Sequence, residues 1–239
     1  MEQIKELKEL INKSKNIVFF GGAGVSTESG IPDFRSAQGL YQEKSIIPPE
    51  VIISRSYFFH DTKGFYKFYK DKMIYLDAKP NDAHKGLAKL ENMGKLTAVI
   101  TQNIDNLHQL AGSKNVIELH GSVYRNHCLK CHKFYDVNKI MECDLPRCEC
   151  GGIIKPDVTL YEEQLPNGVL EKAIRYINDA DLFIVGGTSL SVYPAASLIY
   201  YFPQNRPLVL INRDITGKES LASLFIKGSI GEVFKSLDL

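Results

Sequence analysis

The sequence has almost no net charge, no long hydrophobic run, and no cysteine outside residues 128–150. Lys plus Arg total 29 and Asp plus Glu 28, a formal net charge of +1. A chain this close to neutral carries no electrostatic footprint for general binding to nucleic acid or membrane surfaces. No apolar stretch reaches the roughly 20 residues of a membrane-spanning helix. The opening stretch MEQIKELKELINKSKN is charged and helical in pattern, without the apolar core of a signal peptide. The five cysteines lie in one short window, whereas a secreted disulfide framework spreads its cysteines through a short chain. Internal repeats and low-complexity linkers are missing too. These absences lead us to expect a cytoplasmic protein with one local metal site.

What is present is an ordinary globular composition, 44% hydrophobic and 24% charged over 239 residues. That length supports one large domain, or one domain with a smaller insert. Apolar residues at helical spacing over 2–14 lead into Ile17-Val18-Phe19-Phe20, which ends in glycines. Ala98-Val99-Ile100, Leu182-Phe183-Ile184-Val185 and Leu208-Val209-Leu210-Ile211 repeat the form, each ending in turn residues. Continuous apolar runs bounded by turns suit parallel strands covered on both faces. Helical patterns fall between them, at about 82–92, 168–179 and 194–202, with a closing amphipathic helix in the last dozen residues. The alternation predicts an α/β fold, a doubly wound parallel sheet. Two stretches interrupt it. Residues 36–80 include the helical, aromatic-rich SYFFHDTKGFYKFY, and residues 124–157 hold the cysteines.

The loop GGAGVSTESG follows the first strand, where glycines let a backbone approach a phosphate and a helix start offers free N–H groups. Gly22-x-Gly24 is there, but Thr27 takes the third glycine position, and no acidic residue ends a second strand about 20 residues on. By pattern alone, a dinucleotide loop and a plain strand-to-helix turn both remain open. The following IPDFR places an aromatic, a carboxylate and a guanidinium on one loop, as a lid over a charged ligand would.

Cys128-x-x-Cys131 and Cys148-x-Cys150 are separated as the two thiolate pairs of a zinc ribbon are. The second pair is one residue tighter than usual. Cys143 is either spare or a substitute for one of that pair. Four thiolates close a tetrahedral site and leave no open position for catalysis. His60, His84 and His108 sit in helical stretches that read as polar and are given no chemistry.

Seven motifs in order carry a resemblance. They are GAGVSTESGIPDFR at 22–35, TQNID at 101–105, ELHG at 118–121, the four cysteines, KPDVTLYEE at 155–163, GGTSLSVYPA at 186–195, and IN at 211–212. Nearly the whole chain resembles the sirtuins, the NAD-dependent protein-lysine deacylases, and most closely the small bacterial single-domain type. The resemblance implies a Rossmann-like NAD-binding domain formed by 1–35, 81–123 and 158–239. A helical insertion at 36–80 and a zinc-ribbon insertion at 124–157 would form the small lobe. It implies two cofactors, NAD and Zn²⁺.

The resemblance also assigns residues. Ala23, Gly24 and Thr27 line the diphosphate, and Arg35 supports its charge. Gly187, Thr188, Ser189 and Asn212 hold phosphate and adenosine ribose, with Ile230 on the adenine side. Ile31, Asn103, Ile104 and Asp105 form the nicotinamide pocket, and Phe34 covers the anomeric carbon. His120 is the general base on a ribose hydroxyl, a role suited to a pKa near 6.5. Asn103 positions ribose or water, and Gln102 contacts the ribose. Val158 and Tyr161 belong to the segment that takes acyl-lysine peptide by strand pairing.

Two departures stand out. The family's aromatic-Gly-Glu reads Tyr161-Glu162-Glu163, which questions the backbone angle there. Tyr69 and Lys72 keep the spacing of the Tyr-x-x-Arg of desuccinylating members, but Lys lacks the bidentate fork for a carboxylate. The expected activity is therefore deacetylation, with at most weak desuccinylation. The competing readings are protein ADP-ribosyl transfer or NAD hydrolysis from the same residues, and a non-catalytic zinc-ribbon binding module.

Overall fold

The computed structural model describes residues 2–36, 39–42 and 46–239. Its strands are β1 (Ile17–Gly21), β2 (Leu96–Thr101), β3 (Val116–Glu118), β4 (Gly121–Cys128), β5 (Phe134–Tyr135), β6 (Ile154–Val158), β7 (Leu182–Gly186), β8 (Leu208–Asn212) and β9 (Leu224–Lys227). Its α-helices are α1 (Glu2–Lys13), α2 (Pro49–Ile52), α3 (Arg55–His60), α4 (Thr62–Lys72), α5 (Asp82–Asn92), α6 (Leu107–Leu110), α7 (Val137–Met141), α8 (Val169–Asp179) and α9 (Ile230–Ser236).

Six strands form a parallel sheet in the order β3-β2-β1-β7-β8-β9. Counted along the chain this is the 3-2-1-4-5-6 order of a dinucleotide-binding α/β fold, with its switch point between β1 and β7. Every residue of β1, β7 and β8 is buried. Their unbroken apolar runs follow from that, since alternate side chains enter two different cores. Ile17 and Phe19 pack with Leu7, Ile11, Leu87 and Phe234. Val18 and Phe20 pack with Ala173, Ile177, Leu198 and Ile199.

The expected helix at 194–202 is a 3₁₀ helix, Ala195–Tyr201, and stops a residue early. Phe202 precedes Pro203, and that position is pushed to the extended conformation it shows here. The edge strand β9 was not expected from the sequence. His84 and His108 also differ from expectation. Both are buried, and their rings meet edge to face at 4.7 Å. His84 completes the capping box of α5, its Nδ1 accepting from the Asn81 N–H at 3.3 Å. Its polar neighbours in sequence face outward. His60 is exposed, as expected.

A second, antiparallel sheet has the order β5-β4-β6. Its apolar face shares a core with the aromatic helices. Phe58, Phe65, Tyr66 and Tyr69 pack with Val123, Cys128, Ile140, Cys148 and Ile154. Asp61 starts α4 by accepting from the Gly64 N–H at 2.9 Å, and Phe65 and Tyr69 stack at 5.3 Å. The polar edge of the parallel sheet and this aromatic core together frame a cleft.

Candidate active site

The cleft holds a cavity of about 580 Å³ lined from both sides. Ala23, Gly24, Gln102, Gly187, Thr188, Ser189, Asn212 and Ile230 lie on the sheet side. Val158 and Tyr161 lie on the other. Phe34, Arg35, Asn103, Ile104, Asp105 and His120 also line the cavity. Of the expected residues only Thr27 stands behind its wall, its hydroxyl donating to the Gly24 carbonyl at 3.1 Å.

The loops after β1 and β7 cross at the switch point. The Gly24 N–H donates to the Gly187 carbonyl at 2.8 Å. A Cβ on Gly24 would sit 2.8 Å from Gly187, and Gly187 itself has a φ of +60°. The crossing needs glycine at both positions. The next turn is locked by amides. The Thr188 N–H donates to Asn212 Oδ1 at 3.0 Å, and Asn212 Nδ2 donates back to the Thr188 carbonyl at 2.9 Å. Gln102 Nε2 donates to Thr188 Oγ1 at 2.9 Å, tying β2 to the same turn.

Beside this wall, Ser26 Oγ donates to Asp105 Oδ2 at 2.6 Å and accepts from Asn103 Nδ2 at 3.0 Å. Asp105 Oδ1 accepts from the Leu107 N–H at 2.9 Å, so the carboxylate serves α6 and the cavity together. Burial pushes its pKa above the usual carboxylate value, against the bonds from Ser26 and Leu107.

His120 Nδ1 lies 3.0 Å from the Gln102 carbonyl oxygen. A carbonyl only accepts, so Nδ1 carries the proton and Nε2 presents a lone pair. Burial lowers the pKa below the usual histidine value, offset in part by that bond, and so favours the neutral ring. Gly121 follows with a φ of +78°, and a Cβ there would fall 1.8 Å from the Asp157 carbonyl. Only glycine lets the chain turn from His120 into β4.

On the opposite wall, the Tyr161 N–H donates to the Ile53 carbonyl at 3.1 Å and its carbonyl accepts from Arg55 at 2.9 Å. Glu162 has a φ of +73°. Its carboxylate accepts from the Ser56 N–H at 2.9 Å and the Ser56 hydroxyl at 2.8 Å. Tyr69 and Lys72 also line the cavity, Tyr69 fully buried.

The sulfurs of Cys128, Cys131, Cys148 and Cys150 lie within 4.8 Å of one another, and three of the pairs are 3.5 Å apart. Zinc–sulfur bonds of about 2.3 Å in a tetrahedron set sulfur–sulfur edges of about 3.8 Å, so this set fits zinc. The Tyr135 hydroxyl donates to Cys148 Sγ at 3.1 Å, supporting one ligand from outside. Cys143 is exposed and outside the cluster.

Three contributors were not singled out from the sequence. Ser26 is a buried serine inside a quoted motif, with no local signal for the pair it bridges. Arg213, which lines the cavity, pairs with Asp33 of the lid at 3.1 Å across 180 residues. Tyr41 joins its hydroxyl to that of Tyr161 at 2.8 Å. Such long-range partners leave no trace in spacing.

Fold and site together define a dinucleotide-binding α/β protein that also carries a four-cysteine cluster fit for zinc. The chain belongs to the Sir2 family, whose model matches residues 22–194. It is 59% identical over 236 residues to an NAD-dependent protein deacetylase of Clostridium perfringens, covering 97% of each chain. Among solved structures it superposes on a Sir2 complex with deacetylated p53 peptide and 3′-O-acetyl ADP-ribose. The TM-score there is 0.89 at 41% identity, covering 97% of this chain and 96% of the other. A complex of Sir2 with p53 peptide and NAD⁺ gives 0.85 at 40% identity, covering 98% and 96%.

Proposed function

We propose that the protein is an NAD-dependent protein-lysine deacetylase acting in the cytoplasm. One water is consumed as the acetyl group passes from lysine to ADP-ribose in place of nicotinamide, giving nicotinamide, 2′-O-acyl-ADP-ribose and free lysine. One observation carries the reading. The neutral His120, with its Nδ1–H committed to a carbonyl, shares one cavity with the crossed-glycine wall and the Ser26–Asp105–Asn103 network. Its Nε2 takes the proton of the ribose hydroxyl as the acyl group is transferred. Asp105 accepts from the nicotinamide carboxamide, spending binding energy at the bond that breaks. Asn103 and Gln102 orient the ribose, Phe34 and Ile104 exclude water, and Arg35 meets the diphosphate charge. Ala23, Gly24, Gly187, Thr188, Ser189 and Asn212 hold the dinucleotide, with Ile230 at its adenine end.

The acetyl-lysine peptide adds as a strand along the segment containing Val158 and Tyr161. The Tyr161 main chain is already paired, so the added strand uses its neighbours. Zinc is held by Cys128, Cys131, Cys148 and Cys150 and stabilises the small lobe. We assign 36–80 and 124–157 to that lobe, and 1–35, 81–123 and 158–239 to the large one. The shared aromatic core and the cysteine cluster support this division. All five cysteines are unpaired, which fits a reducing compartment.

The test is an incubation with NAD and an acetyl-lysine peptide, followed by mass spectrometry. One acetyl-ADP-ribose should form per nicotinamide, and His120→Ala should slow turnover by about 10²–10⁴-fold. Nicotinamide without acetyl-ADP-ribose would favour ADP-ribosyl transfer or NAD hydrolysis. Unconsumed NAD would leave a zinc-ribbon binding module. Acyl range is tested at Lys72, which lies 3.6 Å from Asp71 on the cavity wall. Lys72→Ala should lower desuccinylation relative to deacetylation, and an equal loss of both rejects the assignment.

A further inference from the structure

The lid after the glycine loop is fastened to the substrate wall through one hydroxyl. Arg35 Nη2 donates to Tyr161 Oη at 3.3 Å, and Tyr41 Oη meets the same oxygen at 2.8 Å. The Arg35 guanidinium lies 5.1 Å from the centre of the Tyr41 ring, and Phe34 packs on that ring at 5.4 Å. Arg35 is exposed, and a long exposed side chain ordinarily samples many rotamers. Two groups contact it directly, the Tyr161 hydroxyl and the Tyr41 ring, and with Phe34 backing that ring they narrow its range on the cavity wall.

Tyr161 is itself held from the far side. Its main chain pairs with Ile53 and Arg55 of the small lobe, and Glu162 beside it is anchored to Ser56. Its hydroxyl therefore carries the position of the substrate wall to a guanidinium on the dinucleotide side. We propose that Tyr161 is a positioning residue whose hydroxyl presets Arg35 for the dinucleotide, so that peptide on the substrate wall and dinucleotide binding strengthen each other. This rests on the reading of the cleft as a dinucleotide and peptide site. Peptide pairing next to Tyr161 restrains that side chain. Arg35 then loses less freedom when the diphosphate arrives, and the coupling is reciprocal.

The experiment measures the Kd of ADP-ribose with and without acetyl-lysine peptide. ADP-ribose has no nicotinamide to lose, so no turnover intervenes. In the wild type, peptide should tighten ADP-ribose binding by about 2–10-fold, the range of one net hydrogen bond. Tyr161→Phe keeps the ring and the main-chain bonds. It should abolish that tightening while the peptide still binds, and weaken ADP-ribose in the presence of peptide by a similar factor. Added to Arg35→Ala, it should cause no further loss. Peptide tightening that survives Tyr161→Phe, a wild type without peptide dependence, or additive losses in the double variant would each overturn the proposal. A wild type that binds no ADP-ribose would remove the dinucleotide reading beneath it.

Discussion

The two walls of the cleft are held by different means. The sheet-side wall is fixed by main chain and buried amides. Two glycines cross, Thr188 and Asn212 exchange hydrogen bonds, and Ser26 joins Asp105 to Asn103. All of it stands on strands buried on both faces. The opposite wall carries a glutamate at positive φ held by an exposed pair of bonds, and the small antiparallel sheet behind it has a two-residue strand and a cysteine cluster. Rigidity on the first wall suits a dinucleotide whose charged and reacting parts must be placed closely. On the proposed reading the second wall takes a peptide by its backbone, which tolerates lighter fastening. Perturbations should therefore separate the walls.

The largest separation should come from the metal. Structural zinc in small domains contributes an apparent ~10–16 kcal/mol of folding free energy. We expect one zinc per chain, lost when Cys128 and Cys131 become Ser. Hydrogen exchange should then show β4 and β6 unprotected while β1, β7 and β8 keep their protection, and deacetylation should stop. Equal loss of protection across both sheets would mean that the walls are one cooperative unit.

The next effect runs the other way and acts on the sheet side. Burial lowers the His84 pKa to about 4 and that of His108 well below its usual value, with His84 beside it adding to the shift. Unfolded, each histidine takes a proton near pH 6.5. Below that pH the unfolded state binds more protons, so stability falls as pH drops from 6.5 toward 4. His84 alone accounts for about 3 kcal/mol over that window. The His108 ring also packs tilted against the Phe19 ring, with ring centres 6.2 Å apart. Urea melts at pH 7.5 and 5 should show the loss, and His108→Phe should shrink it. A pH dependence unchanged in that variant would assign the loss to other groups.

Legibility in the sequence follows the same division. β1, β7 and β8 were readable because strands covered on both faces must be apolar throughout. The cysteine spacing was readable because two close thiolate pairs restrict the residue type, whereas the glycine loop stayed open by pattern alone and His120 was singled out only through the family resemblance. The buried histidine pair was hidden by its neighbours Asp82 and Lys85, since a helix puts polar and buried positions next to each other in sequence. Ser26, Arg213 and Tyr41 were not singled out because their partners are 79, 180 and 120 residues away. β9 is a short edge strand, Leu224-Phe225-Ile226-Lys227, too brief to show a period.

The smallest effect tests the glutamate that stands where the family has glycine. At a φ of +73°, a side chain costs about 1–2 kcal/mol, which the two bonds the Glu162 carboxylate accepts from Ser56 offset. Glu162→Ala keeps the strain and loses both bonds. Glu162→Gly loses the bonds but relieves the strain, at some cost in unfolded-chain entropy. The alanine variant should therefore be the less stable of the two, by about 1 kcal/mol in denaturant melts. Because Glu162 sits on the substrate wall, both should raise the KM for peptide more than the KM for NAD. If alanine and glycine were equally stable, backbone strain would not be what the glutamate compensates. The hold on this wall would then come from the Ser56 contact alone, and Ser56→Ala should match the alanine variant in both stability and peptide KM.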